Sequence, residues 1–301
     1  MMDPKDTDDL GYRQALLYAE ELRELYEKEQ AQAAALKVEK EQAERIRKVL
    51  ERGLIRMVFQ PIADLADGRV TGVEALARFA VEPPRTPDVW FEEAEAVQMR
   101  EELELAAVML ALGHPELLPE GCYLSINLSP QTVTSARFAE LLPDVPAKSI
   151  VFEVTEHARV EDYGALEDAL QEFRARGGRL AVDDAGAGFA SLKHILRLAP
   201  EVVKLDREVA QGIDVDRPRR ALASALISFA FDLGAEVVAE GIETRSEVDA
   251  LRDLGVPYGQ GFFLARPGPI PPEGFDMLLP DDDASGEPRS AIGSTGVQPS
   301  T

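Results

Sequence analysis

Two patterns of hydrophobic and polar residues divide the chain near Gly53. In residues 10–53, which contain no proline and are rich in Ala, Glu, Lys, Gln, Leu and Arg, apolar positions recur at spacings of three and four. That spacing predicts one long helix. Residues 54–280 instead alternate short apolar runs with longer segments of helical character. This alternation predicts strands and helices that follow one another along the chain.

The second pattern predicts an α/β fold, a modified TIM (β/α)8 barrel. Runs this apolar are typical of parallel strands buried on both faces, and the length suits such a barrel. The first two strands have no helix between them, which predicts an antiparallel departure there. One helix is predicted over 88–113. The predicted strands are 57–62, 70–79, 123–129, 150–156, 179–185, 202–206, 236–242 and 259–264.

The ends of the chain differ from both patterns. Residues 1–9 are polar, and we expect a flexible N-terminus there. Residues 281–301 are rich in Asp, Ser, Gly and Pro, which predicts a disordered tail. The long helix at 10–53 has two interpretations. Its apolar spacing is that of a coiled coil, interrupted by Glu29, Lys40 and Arg47, or it is a single helix packed on its own domain.

The net charge of the chain limits which molecules it can bind. The chain has 55 acidic and 32 basic residues, a formal net charge of -23, which disfavours nucleic acid polymers and anionic membranes. A phosphate-bearing substrate would need a local positive charge, and a divalent metal ion is the obvious source. A single cysteine, Cys122, excludes an intramolecular disulfide and is interpreted as a core residue. The acidic N-terminus and the lack of a long apolar run predict a soluble, cytoplasmic protein.

Polar side chains stand at the ends of the predicted strands, where a TIM barrel has its active face. Oxygen ligands without His or Cys partners favour Mg²⁺ or Mn²⁺. The adjacent carboxylates of Asp183 and Asp184 can bridge two metal ions, an arrangement used for phosphodiester hydrolysis. The strand-end residues are Glu74, Arg78, Asn127, Glu153, Glu156, Asp183, Asp184, Lys204, Asp206, Glu240, Glu243 and Gln260.

A series of motifs resembles the EAL-domain family. The tripeptide Glu74-Ala75-Leu76 lies in GVEALAR, and QPI, SINLSP, FEVTEH, AVDDAGAG, VKLD, AEGIET and GQGFF occur in the family's order. The resemblance covers about residues 54–267. EAL domains are bacterial phosphodiesterases that cut cyclic di-GMP to linear pGpG. The resemblance therefore implies this activity and a homodimer formed through the barrel. The helix at 10–53 leads straight into the barrel, which gives two hypotheses for its role: it dimerises the protein, or it transmits the signal of a protein partner.

The resemblance also implies residue roles. The ligands of a first metal ion would be Glu74, Asn127, Glu153 and Asp183. Those of a second would be Asp183, Asp184 and Glu240. Lys204 would contact the attacking water, so the catalytic set is Glu74, Lys204, Glu240 and Asp184. Substrate contacts would come from Gln60, Leu76, Arg78 and Gln260. Glu156 would anchor the loop that follows the aspartate pair.

That loop departs from the family pattern. The usual DDFGTGYSSL is DDAGAGFASL here, with changes at Ala185, Ala187, Phe189 and Ala190. The change leaves a second hypothesis open, a cyclic di-GMP receptor with little turnover that signals through the N-terminal helix. A scaffold that uses the barrel only as an interaction surface, and a metal-dependent barrel acting on another substrate, are further alternatives.

Overall fold

The computed structural model describes residues 4–113, 118, 121–155, 160, 162–186, 190–270 and 278–279. The predicted tail at 281–301, Glu156 and residues 187–189 of the altered loop lie outside these ranges. The chain opens with one long helix, α1 (Pro4–Glu51), so the predicted helix is confirmed and begins earlier than Leu10. None of the described helices has both the length and the apolar character that a membrane crossing requires.

The predicted barrel is confirmed. Its strands close in the order in which they occur along the chain. β1 pairs antiparallel with both β2 and β8, whereas every other neighbouring pair is parallel. The antiparallel departure expected for the opening strands is therefore present. The strands are β1 (Ile55–Asp64), β2 (Val70–Phe79), β3 (Tyr123–Asn127), β4 (Ile150–Thr155), β5 (Arg179–Ala185), β6 (Val202–Leu205), β7 (Glu236–Ala239) and β8 (Tyr258–Gly259).

Helices cover the outside of the barrel, and most begin with a side-chain cap. Asp162, Asp216 and Thr244 each accept a hydrogen bond from a backbone N–H of the helix that follows. The helices are α2 (Pro87–Ala96), α3 (Arg100–Ala111), α4 (Pro130–Val133), α5 (Ala136–Leu141), α6 (Tyr163–Ala175), α7 (Ala190–Leu198), α8 (Arg207–Ala210), α9 (Arg217–Asp232) and α10 (Arg245–Asp253).

Two predicted elements are wrong in extent. The helix expected over 88–113 is two helices, because the chain breaks at Gln98, whose φ is 57°. The strand expected over 259–264 pairs only through Tyr258 and Gly259. Its continuation turns away, and Leu264 N donates to the carbonyl oxygen of Gly261 at 3.1 Å.

Alternation along the strands places two layers of side chains inside the barrel, because residues two apart face the same side. The lower layer is apolar and consists of Ile62, Tyr123, Val151, Ala181, Val202 and Val238. The residues two positions nearer the active face are polar. They are Gln60, Ser125, Glu153, Asp183 and Lys204 on the same strands and Glu240 directly after β7. The apolar layer therefore forms the floor beneath a polar layer.

Among the side chains of α1 that the structure describes, only those of the last turns pack on the barrel domain. Ile46 and Val49 are fully buried, in a cluster with Trp90 and Leu103. Residues 22–41 of the helix are exposed. The single-helix interpretation therefore holds for the C-terminal turns, and the coiled-coil interpretation of the exposed part stays a prediction.

Candidate active site

The centre of the polar layer is the ammonium group of Lys204, which is 1% exposed. Its Nζ lies 2.6 Å from Glu240, 2.9 Å from Glu153, 3.4 Å from Glu74 and 3.5 Å from Asp183. These contacts join the ends of five strands at one point. A buried ammonium needs such partners, because unpaired burial of a charge is very costly.

The carboxylate of Glu74 is held in one orientation by two amides. Asn127 Nδ2 donates to one of its oxygens at 2.8 Å, and Gln260 Nε2 donates to the other at 2.7 Å. Burial raises the pKa of Glu74, but Lys204 and the two amides outweigh that effect and hold it below its usual value. Glu74 is therefore ionised at neutral pH. Gln260 Nε2 also contacts Gln60 Oε1 at 3.0 Å.

Glu153 is completely buried and is held by Lys204 on one oxygen and by the hydroxyl of Ser125 on the other. Burial raises the pKa of Glu153 to about 8, against the opposing effect of Lys204. Ser125 was not among the predicted site residues. The signal was available, because Ser125 lies two residues before Asn127 on β3 and shares its face.

Asp183 and Asp184 converge on one site although adjacent residues of a regular strand face opposite sides. The pairing of β5 with β6 shifts its register between Val182 and Ala185, and Asp184 takes a left-handed φ of 59°. Carboxylate oxygens of Asp183, Asp184 and Glu240 consequently lie within 4.8 Å of one another. The backbone irregularity thus brings together the adjacent carboxylates that the sequence singles out.

The second residue after this pair must be a glycine, because its backbone conformation and its neighbours leave no room for a side chain. Gly186 has a φ of 109°, which an L side chain rarely adopts, and a Cβ there would lie 2.6 Å from Cγ2 of Val209. The turn that carries Asp184 therefore depends on Gly186.

Carboxyl groups of the cluster have raised pKa values. Burial, followed by the charges of Asp183 and Asp206, raises the pKa of Asp184 to about 7. Burial and the charge of Asp183 raise the pKa of Glu240 well above its usual value. Burial alone would lower the pKa of Lys204, but its carboxylate neighbours raise it, so the ammonium stays charged. Because like charges are crowded here, added positive charge would be bound readily.

A cleft of about 220 Å³ opens above the cluster. Of the predicted substrate contacts, Gln60, Leu76 and Gln260 line it. Arg78 is not among the described lining residues, and its guanidinium donates to the carbonyl of Ala77 at 2.8 Å. The lining residues not predicted as substrate contacts or ligands are Arg207, Gln211, Gly241, Glu243, Gly261 and Phe262. They lie beyond the ends of β6 to β8, with Arg207 at the start of α8. Of these residues, only Glu243 was named from the sequence as a strand-end residue.

The barrel, the order of its motifs and this cluster agree with a family match. The sequence model of the EAL domain matches residues 43–267. The chain belongs to the EAL domain family. The EAL tripeptide, Glu74 to Leu76, lies on β2, with its glutamate beside Lys204 and its leucine in the cleft wall.

Several proteins are similar to this EAL chain. An uncharacterised protein of Mycobacterium tuberculosis is 31% identical over 242 residues, which are 75% of this chain and 79% of that protein. The cyclic di-GMP phosphodiesterase PA2567 of Pseudomonas aeruginosa is 31% identical over 229 residues, 70% of this chain and 38% of that protein. The chain spans only 33% of another relative, an uncharacterised protein of Azorhizobium caulinodans.

A solved structure of an EAL relative contains both a metal and a nucleotide. BlrP1 of Klebsiella pneumoniae, in a complex with manganese and cyclic di-GMP, is 28% identical to this chain with a TM-score of 0.64. The match covers 71% of this chain and 56% of that one.

Proposed function

We propose that this protein hydrolyses cyclic di-GMP to linear pGpG with the help of two divalent metal ions, Mg²⁺ or Mn²⁺. The observation that carries the proposal is the convergence of Asp183, Asp184 and Glu240 beside the Lys204–Glu153–Glu74 group, at the base of an open cleft. The relatives named as cyclic di-GMP phosphodiesterases and the complex of BlrP1 support this choice of substrate.

The donor set fits hard divalent cations. Every candidate ligand carries oxygen donors: Asp183, Asp184 and Glu240 converge through their carboxylates, and Asn127, whose Nδ2 donates to Glu74, has an amide oxygen besides. Glu74, Asn127, Glu153 and Asp183 would hold one ion, and Asp183, Asp184 and Glu240 the other. When bound, two such ions activate a water molecule and stabilise the leaving oxygen of a phosphodiester.

The protein's own residues supply orientation and charge. Asn127 and Gln260 hold Glu74, and Ser125 holds Glu153, so these carboxylates need little rearrangement to accept a cation. Lys204 offers N–H donors at the same point and would orient the attacking water. Gln60, Leu76 and Gln260 would contact the substrate across the cleft.

A receptor with little turnover is the second candidate, and Ala185 is the observation in its favour. The family has phenylalanine at this position, whereas the alanine here is completely buried at the end of β5. A smaller side chain removes packing contacts from the turn that carries Asp184. The receptor hypothesis predicts tight binding of cyclic di-GMP without product.

The remaining features of the proposal concern the whole chain. We propose the four regions 1–9, 10–53, 54–280 and 281–301, with the barrel as the catalytic domain. A cytoplasmic location, a homodimer through the barrel and a protein partner at the N-terminal helix also stay predictions.

Purified full-length protein would be incubated with cyclic di-GMP and Mn²⁺ or Mg²⁺, and the products separated chromatographically. The proposal expects pGpG as the first product and no product after chelation of the metal. Saturable binding without product would favour the receptor, and neither binding nor product would overturn both.

A further inference from the structure

We propose that Glu104, on the outer helix α3, is a positioning residue that holds Asn127 in place as a metal ligand. The inference rests on the proposed function, since it assumes that Asn127 binds one of the two ions. Glu104 is neither a candidate ligand nor among the described residues that line the cleft. It would act through Ser129, which lies two residues after Asn127, where the chain leaves β3.

Glu104 is an acidic residue buried on a helix that covers the outside of the barrel. Only 4% of it is exposed, and a glutamate is rarely buried to this extent unless it is paired. Oε1 accepts a hydrogen bond from Arg100 Nε at 2.7 Å, which offsets the charge. Oε2 accepts from both donors of Ser129, the backbone N–H at 3.0 Å and the hydroxyl at 2.7 Å. Both oxygens are therefore paired, and one of them binds a single residue twice.

Two donors on one acceptor fix both the backbone and the side chain of Ser129. Because a carboxylate oxygen only accepts hydrogen bonds, Glu104 sets the direction of the Ser129 hydroxyl proton. The hydroxyl oxygen is then left to accept from Thr132 N at 3.2 Å, which is the N-cap bond of α4. Glu104 therefore holds the point at which β3 has ended and α4 begins.

Asn127 lies between this point and the sheet. It pairs with Glu153 of β4, and Leu128 N donates to the carbonyl oxygen of Glu153 at 2.9 Å. Beyond Leu128, the backbone N–H of Ser129 is bound to Glu104 instead of to a strand. The side chain of Asn127 is exposed, so its direction depends on this backbone and on its bond to Glu74. Loss of the contact at Ser129 would loosen this one ligand and leave the carboxylate ligands in place.

Calorimetric titration of the full-length protein with Mn²⁺ tests the inference. Glu104→Met nearly keeps the volume of the side chain but removes both acceptors. The dissociation constant of Mn²⁺ should rise about tenfold, which is typical when a residue that orients a metal ligand is lost. Glu104→Gln keeps one acceptor for Ser129 and should raise the constant about threefold, since a neutral acceptor replaces a charged one. Turnover should fall in the same order at low Mn²⁺ and recover at saturating Mn²⁺.

A double-variant cycle tests the route through Asn127. In an Asn127→Ala background the amide ligand is already missing, so Glu104→Met should cause no further rise in the Mn²⁺ dissociation constant. Equal rises with and without Asn127 would overturn the inference, because Glu104 would then act on another part of the protein.

Two controls separate positioning from stability. Glu102→Met removes a partly exposed carboxylate of the same helix, paired with Arg137, and should leave Mn²⁺ binding unchanged. Glu201→Met takes an acceptor from an arginine and from the backbone N–H of Leu180, as Glu104→Met does for Ser129, but at the opposite end of the barrel. It should lower the thermal unfolding midpoint of the metal-free protein and leave the affinity for Mn²⁺ unchanged.

The outcomes separate this inference from the proposed function. If the wild-type protein forms pGpG but the Glu104 variants only lose stability, as Glu201→Met does, the positioning role is wrong and the phosphodiesterase stands. Glu104→Gln decides this alone if Glu104→Met does not fold. Mn²⁺ binding that weakens as predicted, without pGpG from the wild-type protein, would keep the positioning role and overturn hydrolysis. If the wild-type protein binds no Mn²⁺ and forms no pGpG, both fail.

Discussion

The ammonium of Lys204 lies 2.6 Å from the carboxylate of Glu240, at the meeting point of β6 and β7. Glu153, Glu74 and Asp183 surround the same nitrogen. One buried positive charge therefore stands among carboxylates that are suited to divalent cations. If the protein has the proposed function, Lys204 would be both a contributor to catalysis and a competitor of the metal ions.

Replacing Lys204 with methionine should separate these two effects. Turnover should fall by about 10²-fold or more, because an oriented donor at the reacting centre is lost. Affinity for Mn²⁺ should rise by at least about tenfold, since a like charge about 4 Å away costs roughly 4 kcal/mol at an effective dielectric constant of 20. Activity assays and calorimetric Mn²⁺ titration would measure both. Weaker Mn²⁺ binding would contradict the prediction, and Lys148→Met on the surface is the control.

Metal binding should release protons. The pKa values of Asp184 and Glu153 in the metal-free protein are raised to about 7 and about 8, so both carboxyls are partly protonated near neutral pH. A cation requires the ionised form, and its affinity should therefore rise with pH from about 6 to about 9, through both pKa values, and level off above that range. Calorimetry at pH 7 in two buffers of different ionisation enthalpy would count the protons. Equal heats in both buffers would contradict the prediction.

Gly186→Ala should destabilise the protein and weaken metal binding, because its Cβ would clash with Val209 and disturb the turn that carries Asp184. Gly234→Ala is the matched control, since Gly234 also has a positive φ, 78°, but has open space around it. The control should lose about 1–2 kcal/mol from its backbone conformation alone. Gly186→Ala should lose about 1–3 kcal/mol more. Urea unfolding that gives equal losses would show that the close approach to Val209 is unimportant.

Two truncations test which part of α1 stabilises the barrel domain. The described side chains within residues 1–41 are exposed, so removing these residues should not change the unfolding midpoint. Removing residues 1–51 also deletes the buried side chains of Ile46 and Val49, which should cost about 3–6 kcal/mol. Light scattering on the same proteins tests the coiled coil. An identical oligomeric state for the full chain and the 1–41 deletion would rule out a dimerising helix.

Much of the cluster could be predicted because several of its residues stand at or directly after the end of an apolar strand. Glu153 and Lys204 follow the pattern of their strands directly, and the chain order of those strands equals their order in the barrel. The convergence of Asp183 and Asp184 could not be read from a period of two, because it depends on a register shift and a left-handed residue. The break between α2 and α3 was missed for the same reason, because it depends on Gln98, another residue with a positive φ.

The wall of the cleft was harder to predict than its base. Phe262 was expected in a strand, but it lies on a turn where β8 has already ended. Arg207 begins a four-residue helix that has no periodicity of its own. Such residues become part of a site only through tertiary packing, as in the contact of Arg207 with Gly241.

The most direct test of the central claim compares two glutamates, Glu236 at the start of β7 and Glu240 directly after its end. Glu240→Gln removes a carboxylate from the cluster, whereas Glu236→Gln makes the same change where the side chain is 44% exposed and paired with Arg179. With cyclic di-GMP and Mn²⁺, the account predicts pGpG from the wild-type protein and from Glu236→Gln, and a loss of about 10²-fold or more in Glu240→Gln. Equal pGpG formation by the two variants would contradict it.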